Sequence, residues 1–184
     1  MHLIASRRQA SAPAVQPLTR VVAYKNCEVV RRFREQYPVS EREGEEIFRE
    51  TKKWLWLLSV ASPPGRLTVT DPILVIDEMW HAFLMYTQDY EDFCQRYFGR
   101  FLHHAPTTHA ETARLQRRMA SHPERVAKEW EEDRRWQYQT IMEHLGEATL
   151  RKWYVTYPKQ YSPQKLLTLS QRALRLKARQ QGAK

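Results

Sequence analysis

Glycine is scarce in this chain: five in 184 residues, against many Leu, Glu, Arg, Gln and Ala, a balance that leans towards helices. There are two cysteines, Cys27 and Cys94, and they form neither a CxxC pair nor a disulfide framework. Each sits among apolar and aromatic neighbours in a helical pattern, so both are expected reduced and partly buried, which suits a cytoplasmic protein. No apolar run reaches the roughly 20 residues that a membrane-spanning helix needs. The longest, residues 73–86, is interrupted by Asp77, Glu78 and His81. The phosphate-cradling GxxxxGK[ST], the dinucleotide GxGxxG, the GxSxG elbow and HExxH are all missing, which removes the enzyme classes built on them.

Acidic residues are absent from both ends. All 21 acids lie between Glu28 and Glu147. Of the 30 Lys and Arg, four precede that stretch, nine follow it, and 17 lie within it. The net charge of +9 therefore belongs to the two termini, while the middle is mildly acidic. The first 27 residues have no continuous apolar core of a secretory signal. Their Arg7, Arg8, Arg20 and Lys25 match transit-peptide composition, but Pro13 and Pro17 interrupt the amphipathic helix such a peptide requires.

What is present reads as one all-α domain of about six helices, bundle-like, over residues 26–158. A mobile basic leader over residues 1–25 precedes it, and a basic amphipathic helix over residues 159–184 follows. "CEVVRRFREQY" (27–37) places Val29, Val30, Phe33 and Tyr37 at helical spacing, and Pro38 ends it. Ser40 with Glu43 forms a capping-box pattern for the next helix. "SPPGR" (62–66) is a break, and Asp71-Pro72 reads as an N-cap followed by proline at the first helical position. Gly99 is a left-handed stop. Residues 110–145 form one or two helices, bent near 121–123, with Met119, Val126, Trp130, Trp136, Ile141 and Leu145 inward. Residues 147–158 form another helix.

Within the apolar run stands "DEMWH" (77–81). Ile73, Asp77, Trp80 and Leu84 share one helical stripe, so Asp77 falls on an apolar face. A carboxylate there needs a partner. His81 lies one turn on, its Cβ about 5–6 Å away, a spacing that lets carboxylate and imidazole close on one ion. The same spacing lets the carboxylate accept the imidazole N–H in a purely structural pair. A metal site needs further ligands, and His103 and His104, in a loop some twenty residues downstream, are the candidates, with His109 behind them. Two His with one carboxylate match a non-haem iron site or a zinc site with an open position.

The stretch "IDEMWHAFLMYTQDYEDFCQRYFGRFLHHAP" (76–106) resembles the D-x-x-W-H signature of glycine-rich-domain-containing-protein-like sequences, in particular the short stand-alone bacterial type. Asp77, Trp80, His81, Tyr90, His103, His104 and Pro106 are the matching positions, and "LGEATLRKWYVTYP" (145–158) resembles the closing helix of the bacterial versions. The resemblance covers roughly residues 30–158. It implies a shared helical fold and no particular reaction. The glycine-rich region itself has no counterpart in this chain.

The C-terminal helix sets Leu166, Leu167, Ala173, Leu174 and Leu176 against Lys165, Arg172, Arg175, Lys177 and Arg179. Arg172, Arg175, Lys177 and Arg179 are the expected partner-binding residues. Packing on the body, docking to a protein partner, lying on an anionic surface and tracking a nucleic-acid backbone are the alternatives. No zinc-finger, helix-turn-helix or RNA-binding signature favours the last.

Overall fold

Helix-forming sequence and clear caps decide the architecture. The computed structural model describes residues 15–61 and 67–181, and among these it is all-α, without a strand. In order come α1 (Leu18–Ala23), α2 (Cys27–Gln36) and α3 (Glu41–Val60). A 3₁₀ turn (Asp71–Ile73) leads into α4 (Leu74–Leu84), then α5 (Thr87–Phe98), α6 (His109–Ser121) and α7 (Pro123–Leu145). The chain closes with α8 (Glu147–Arg151), a π-helical turn (Lys152–Thr156), α9 (Tyr157–Gln160) and α10 (Pro163–Gln181).

The caps are those that the local chemistry asks for. Asn26 accepts from the backbone N–H of Glu28 and Val29 to start α2. The expected capping box of Ser40 and Glu43 opens α3, and Thr108 with Glu111 forms a second one at α6. Gly99 ends α5 at φ 66°, the left-handed conformation that glycine adopts freely. Gly44 serves packing instead. A Cβ there would come within 3.0 Å of Val30 Cγ1, so the missing side chain lets α2 and α3 close on each other.

The core is centred on α4, whose Val75, Ile76, Met79 and Phe83 are fully buried. Against it lie Ile47, Trp54, Leu55 and Leu57 of α3, Val29 and Phe33 of α2, and Phe93 and Cys94 of α5. Burial of each large side chain is worth roughly 1.5–3 kcal/mol. The Phe83 ring meets Phe48 at 5.4 Å, Tyr90 at 5.1 Å and Phe93 at 5.3 Å, all edge-on, the arrangement that ring quadrupoles favour. α4 is apolar on most sides because it is surrounded on most sides.

The fold departs from several expectations. Residues 15–25 are not a mobile leader. Val21 is buried, the Gln16 N–H donates to the Tyr97 carbonyl, and Lys52 donates to the carbonyls of Val22 and Tyr24. Residues 1–14, and the expected break at 62–66, lie outside the described residues. Asp71 is no N-cap, because the 3₁₀ turn contains it and α4 starts three residues later. Cys27 is exposed, being the first residue of α2 and off its inward stripe; Cys94 is buried as expected. Met119 and Trp130 are exposed too, because α6 and the first half of α7 form a hairpin standing off the body, whose one buried side chain among the described residues is Val126.

Residues 67–70 alternate like a strand and have no strand to pair with. The Gln137 side chain takes that role: its Oε1 accepts from the Thr68 N–H at 2.9 Å and its Nε2 donates to the Thr68 carbonyl at 3.1 Å. The last helix before α10 runs through Pro158, which has no N–H to give the preceding turn. The π turn immediately before it relieves that clash, with the Tyr157 N–H reaching back to the Lys152 carbonyl. α10 lays Leu166 and Ala173 inward and is flanked by α2 across a shallow groove between Arg32 and Lys177.

Candidate metal centre

Asp77 sits in the first turn of α4, with buried Ile73 and Trp80 on its stripe, and its side chain is 16% exposed. His81, one turn on, is turned outward and its side chain is 49% exposed. The pair therefore spans from the protein's interior to its rim. His81 Nδ1 lies 3.7 Å from Asp77 Oδ2 and 4.0 Å from the Glu78 carboxylate.

The third member comes from the loop after α5. His104 Nε2 is 2.9 Å from Asp77 Oδ1, and the His104 ring lies 4.6 Å from that of His81. Ligand atoms of Asp77, His81 and His104 all lie within 4.8 Å of one another. Among the described residues this is the one such group of three or more. His103 does not join it. Neighbouring side chains on an extended loop diverge, and the His103 ring turns to Phe101 at 4.9 Å and to solvent. His109, in the first turn of α6, is exposed and also outside the group.

A hydrogen-bonded relay holds the loop in place. Trp80 Nε1 donates to the Tyr90 hydroxyl at 3.1 Å, and that hydroxyl donates to the Leu102 carbonyl at 2.7 Å. Burial raises the Tyr90 phenol well above its ordinary value, so it stays a donor at any physiological pH. Leu102 also packs into the core, two residues before His104. The Trp80 ring then meets the His104 ring edge-on at 4.3 Å. Five of the positions that carry the 76–106 signature thus have distinct roles. Asp77, His81 and His104 converge, while Trp80 and Tyr90 anchor the loop. The Tyr90 tie was not legible beforehand, since a tyrosine on an inward helical face reads as ordinary core.

The donor set suits a divalent cation. Metal–ligand bonds of about 2.1 Å put neighbouring donor atoms about 3.0–3.5 Å apart, so a separation of 4.8 Å must close by about 1.3–1.8 Å, shared between two side chains. Two imidazole nitrogens and one carboxylate oxygen match iron(II) or zinc, with coordination positions left over. Asp77 and His104 border a groove of about 510 Å³ whose walls also include Trp80, Leu58, Leu67 and Leu74. Sequence reading missed the groove, because residues 58, 67 and 74 belong to three different segments.

The family model of UCP032817-like proteins matches residues 19–122, more than half the chain, including all three converging residues. The chain belongs to the UCP032817-like family. The family match carries no activity, and it does not support the glycine-rich-domain-containing label that the D-x-x-W-H stretch suggested. Comparison with curated proteins and with solved structures returned no match. The matched segment starts at α1 and stops at the tip of the α6–α7 hairpin, so α1 is within the family's common part.

The expected partner-binding residues lie elsewhere. Arg172, Arg175, Lys177 and Arg179 are exposed along α10, beside Leu167 and Leu174, which are 60% and 65% exposed. No helix among the described residues is long and apolar enough to cross a membrane.

Proposed function

We propose that this UCP032817-like protein binds one divalent transition-metal ion, iron(II) or zinc, through Asp77, His81 and His104. The observation that carries the reading is the convergence of three ligand atoms, contributed by a helix and a separate loop, within 4.8 Å. The half-open position of His81 gives the ion an entry path, and the groove beside Asp77 gives a second ligand access to it. Without a cation the same side chains form an Asp–His bridge, so the two readings differ in metal content alone. Elemental analysis of protein purified without a histidine tag separates them. One equivalent of iron or zinc, lost in His104→Ala, is expected. A folded protein that takes up neither ion when each is supplied overturns the proposal.

A second reading has its own observation. Two leucines more than half exposed on a helix carrying five exposed bases favour docking of α10 to an acidic protein partner. The double substitution Leu167→Ser with Leu174→Ser then abolishes partner capture without lowering the melting temperature. An unchanged set of partners removes this reading. Nucleic acid or an anionic surface is the competing ligand, recognised by binding that falls steeply with salt and ignores the leucines.

A further inference from the structure

One flank of the Asp77–His104 pair carries a strip of hydrocarbon, with Thr68, Thr70, Asp71 and His103 on the rest of the lining. Leu58 at the end of α3, Leu67 in the extended segment and Leu74 at the start of α4 line the groove with Trp80. Trp54 lines it as well, and its buried indole N–H meets no acceptor among the described residues. A groove that merely fills a gap between helices needs no metal-ligating side chains in its wall; this one has Asp77 and His104 of the converging group, besides Asp71 and His103.

Charge narrows what fits. A divalent ion held by one carboxylate and two neutral imidazoles retains a formal charge of +1, and three protein ligands leave adjacent positions open. A monoanionic head offering two oxygen donors neutralises that charge and fills two positions of a site that expands beyond four ligands. The apolar wall then covers whatever substituent the head carries. Resting on the metal-centre reading, we infer that the site takes a small bidentate oxygen chelator bearing an apolar substituent, an aryl or branched alkyl 2-oxo acid or hydroxamate being the chemical class. The head would take the ion's open positions, and the substituent would lie along Leu58, Leu67 and Leu74.

Two hydroxamates with the same head and different tails test this on the full chain. Cobalt(II) is loaded first, and its visible absorption reports both metal uptake and chelator binding. Benzohydroxamate is expected to bind at least about tenfold more tightly than acetohydroxamate, the gain that follows from burying most of a phenyl ring. Leu58→Gln and, separately, Leu74→Gln should shrink that ratio to about threefold or less, chiefly by weakening benzohydroxamate. Both leucines are half-buried at the groove and outside the fully buried core, so the variants retain the fold, and each checks the other. Equal affinities for the two chelators, or a preference that survives both substitutions, would overturn the inference while the metal centre stands. Cobalt absorption that never develops overturns both together.

Discussion

Glu50 on α3 and Asp77 on α4 are both carboxylates packed beside buried apolar side chains, yet their surroundings are completed in opposite ways. Glu50 is buried and surrounded by donors: Lys53 at 3.0 Å, Lys152 at 3.4 Å and the Trp153 indole N–H at 2.9 Å. Lys152 also pairs with Glu46, and Lys53 reaches the Thr149 hydroxyl. Charge and hydrogen-bonding capacity are used up inside the cluster, and α3 is thereby tied to α8 and the π turn. Asp77 meets two imidazoles, one of them half in solvent, and borders a groove. Convergent acceptors with an open side are what a cation needs; convergent donors around one buried acid are what a helix joint needs.

Breaking the joint gives the largest effect. Glu50→Ala takes the acceptor from the buried Trp153 indole N–H and one partner each from Lys53 and Lys152, and should cost about 3 kcal/mol in denaturant unfolding. Metal-dependent stability is next. Zinc at 100 times its dissociation constant should raise the unfolding free energy of the wild type by about 2.7 kcal/mol, and that of His104→Ala hardly at all. A scan of melting temperature against zinc concentration reads both.

Lys52 sharpens the contrast as a buried charge held by backbone carbonyls. Its ammonium sits on the Val22 and Tyr24 carbonyls and over the Phe48 ring at 4.7 Å. Burial, with Arg49 and Lys25 nearby, pushes its pKa down to about 8. The unfolded chain holds that proton up to about 10.4, so between these values the unfolded state binds more protons and stability climbs with pH. A gain of about 2 kcal/mol between pH 7 and pH 10 is expected, and Lys52→Met should flatten that slope. The smallest effect belongs to Asp77→Asn in the presence of a chelator. It removes one partly exposed acceptor and should change stability by less than about 1 kcal/mol while abolishing the response to zinc. A large loss there would put Asp77 in the same structural class as Glu50.

Much of this was legible in the sequence where local chemistry decides. The helix start at Ser40 and the stop at Gly99 follow from single side chains and a single backbone conformation. The Asp77–His81 spacing and the choice of the His103-His104 loop also came from periodicity and ligand chemistry. Which of the two histidines turns inward did not, since it depends on the Trp80–Tyr90–Leu102 relay folding across two helices. Lys52 was missed because a lysine within "TKKWLW" reads as a solvated face until α1 is seen docked over it. Met119 and Trp130 were misplaced for the converse reason. Apolar residues at helical spacing read as core, and nothing local says that the α6–α7 hairpin leaves the body.

X-ray absorption on iron- or zinc-loaded protein bears most directly on the metal centre, because it counts the ligands themselves. Two imidazoles and at least one oxygen at about 2.0–2.2 Å are expected in the wild type, with one imidazole lost in His104→Ala. An ion surrounded by oxygen alone, or a spectrum indifferent to that substitution, would contradict it.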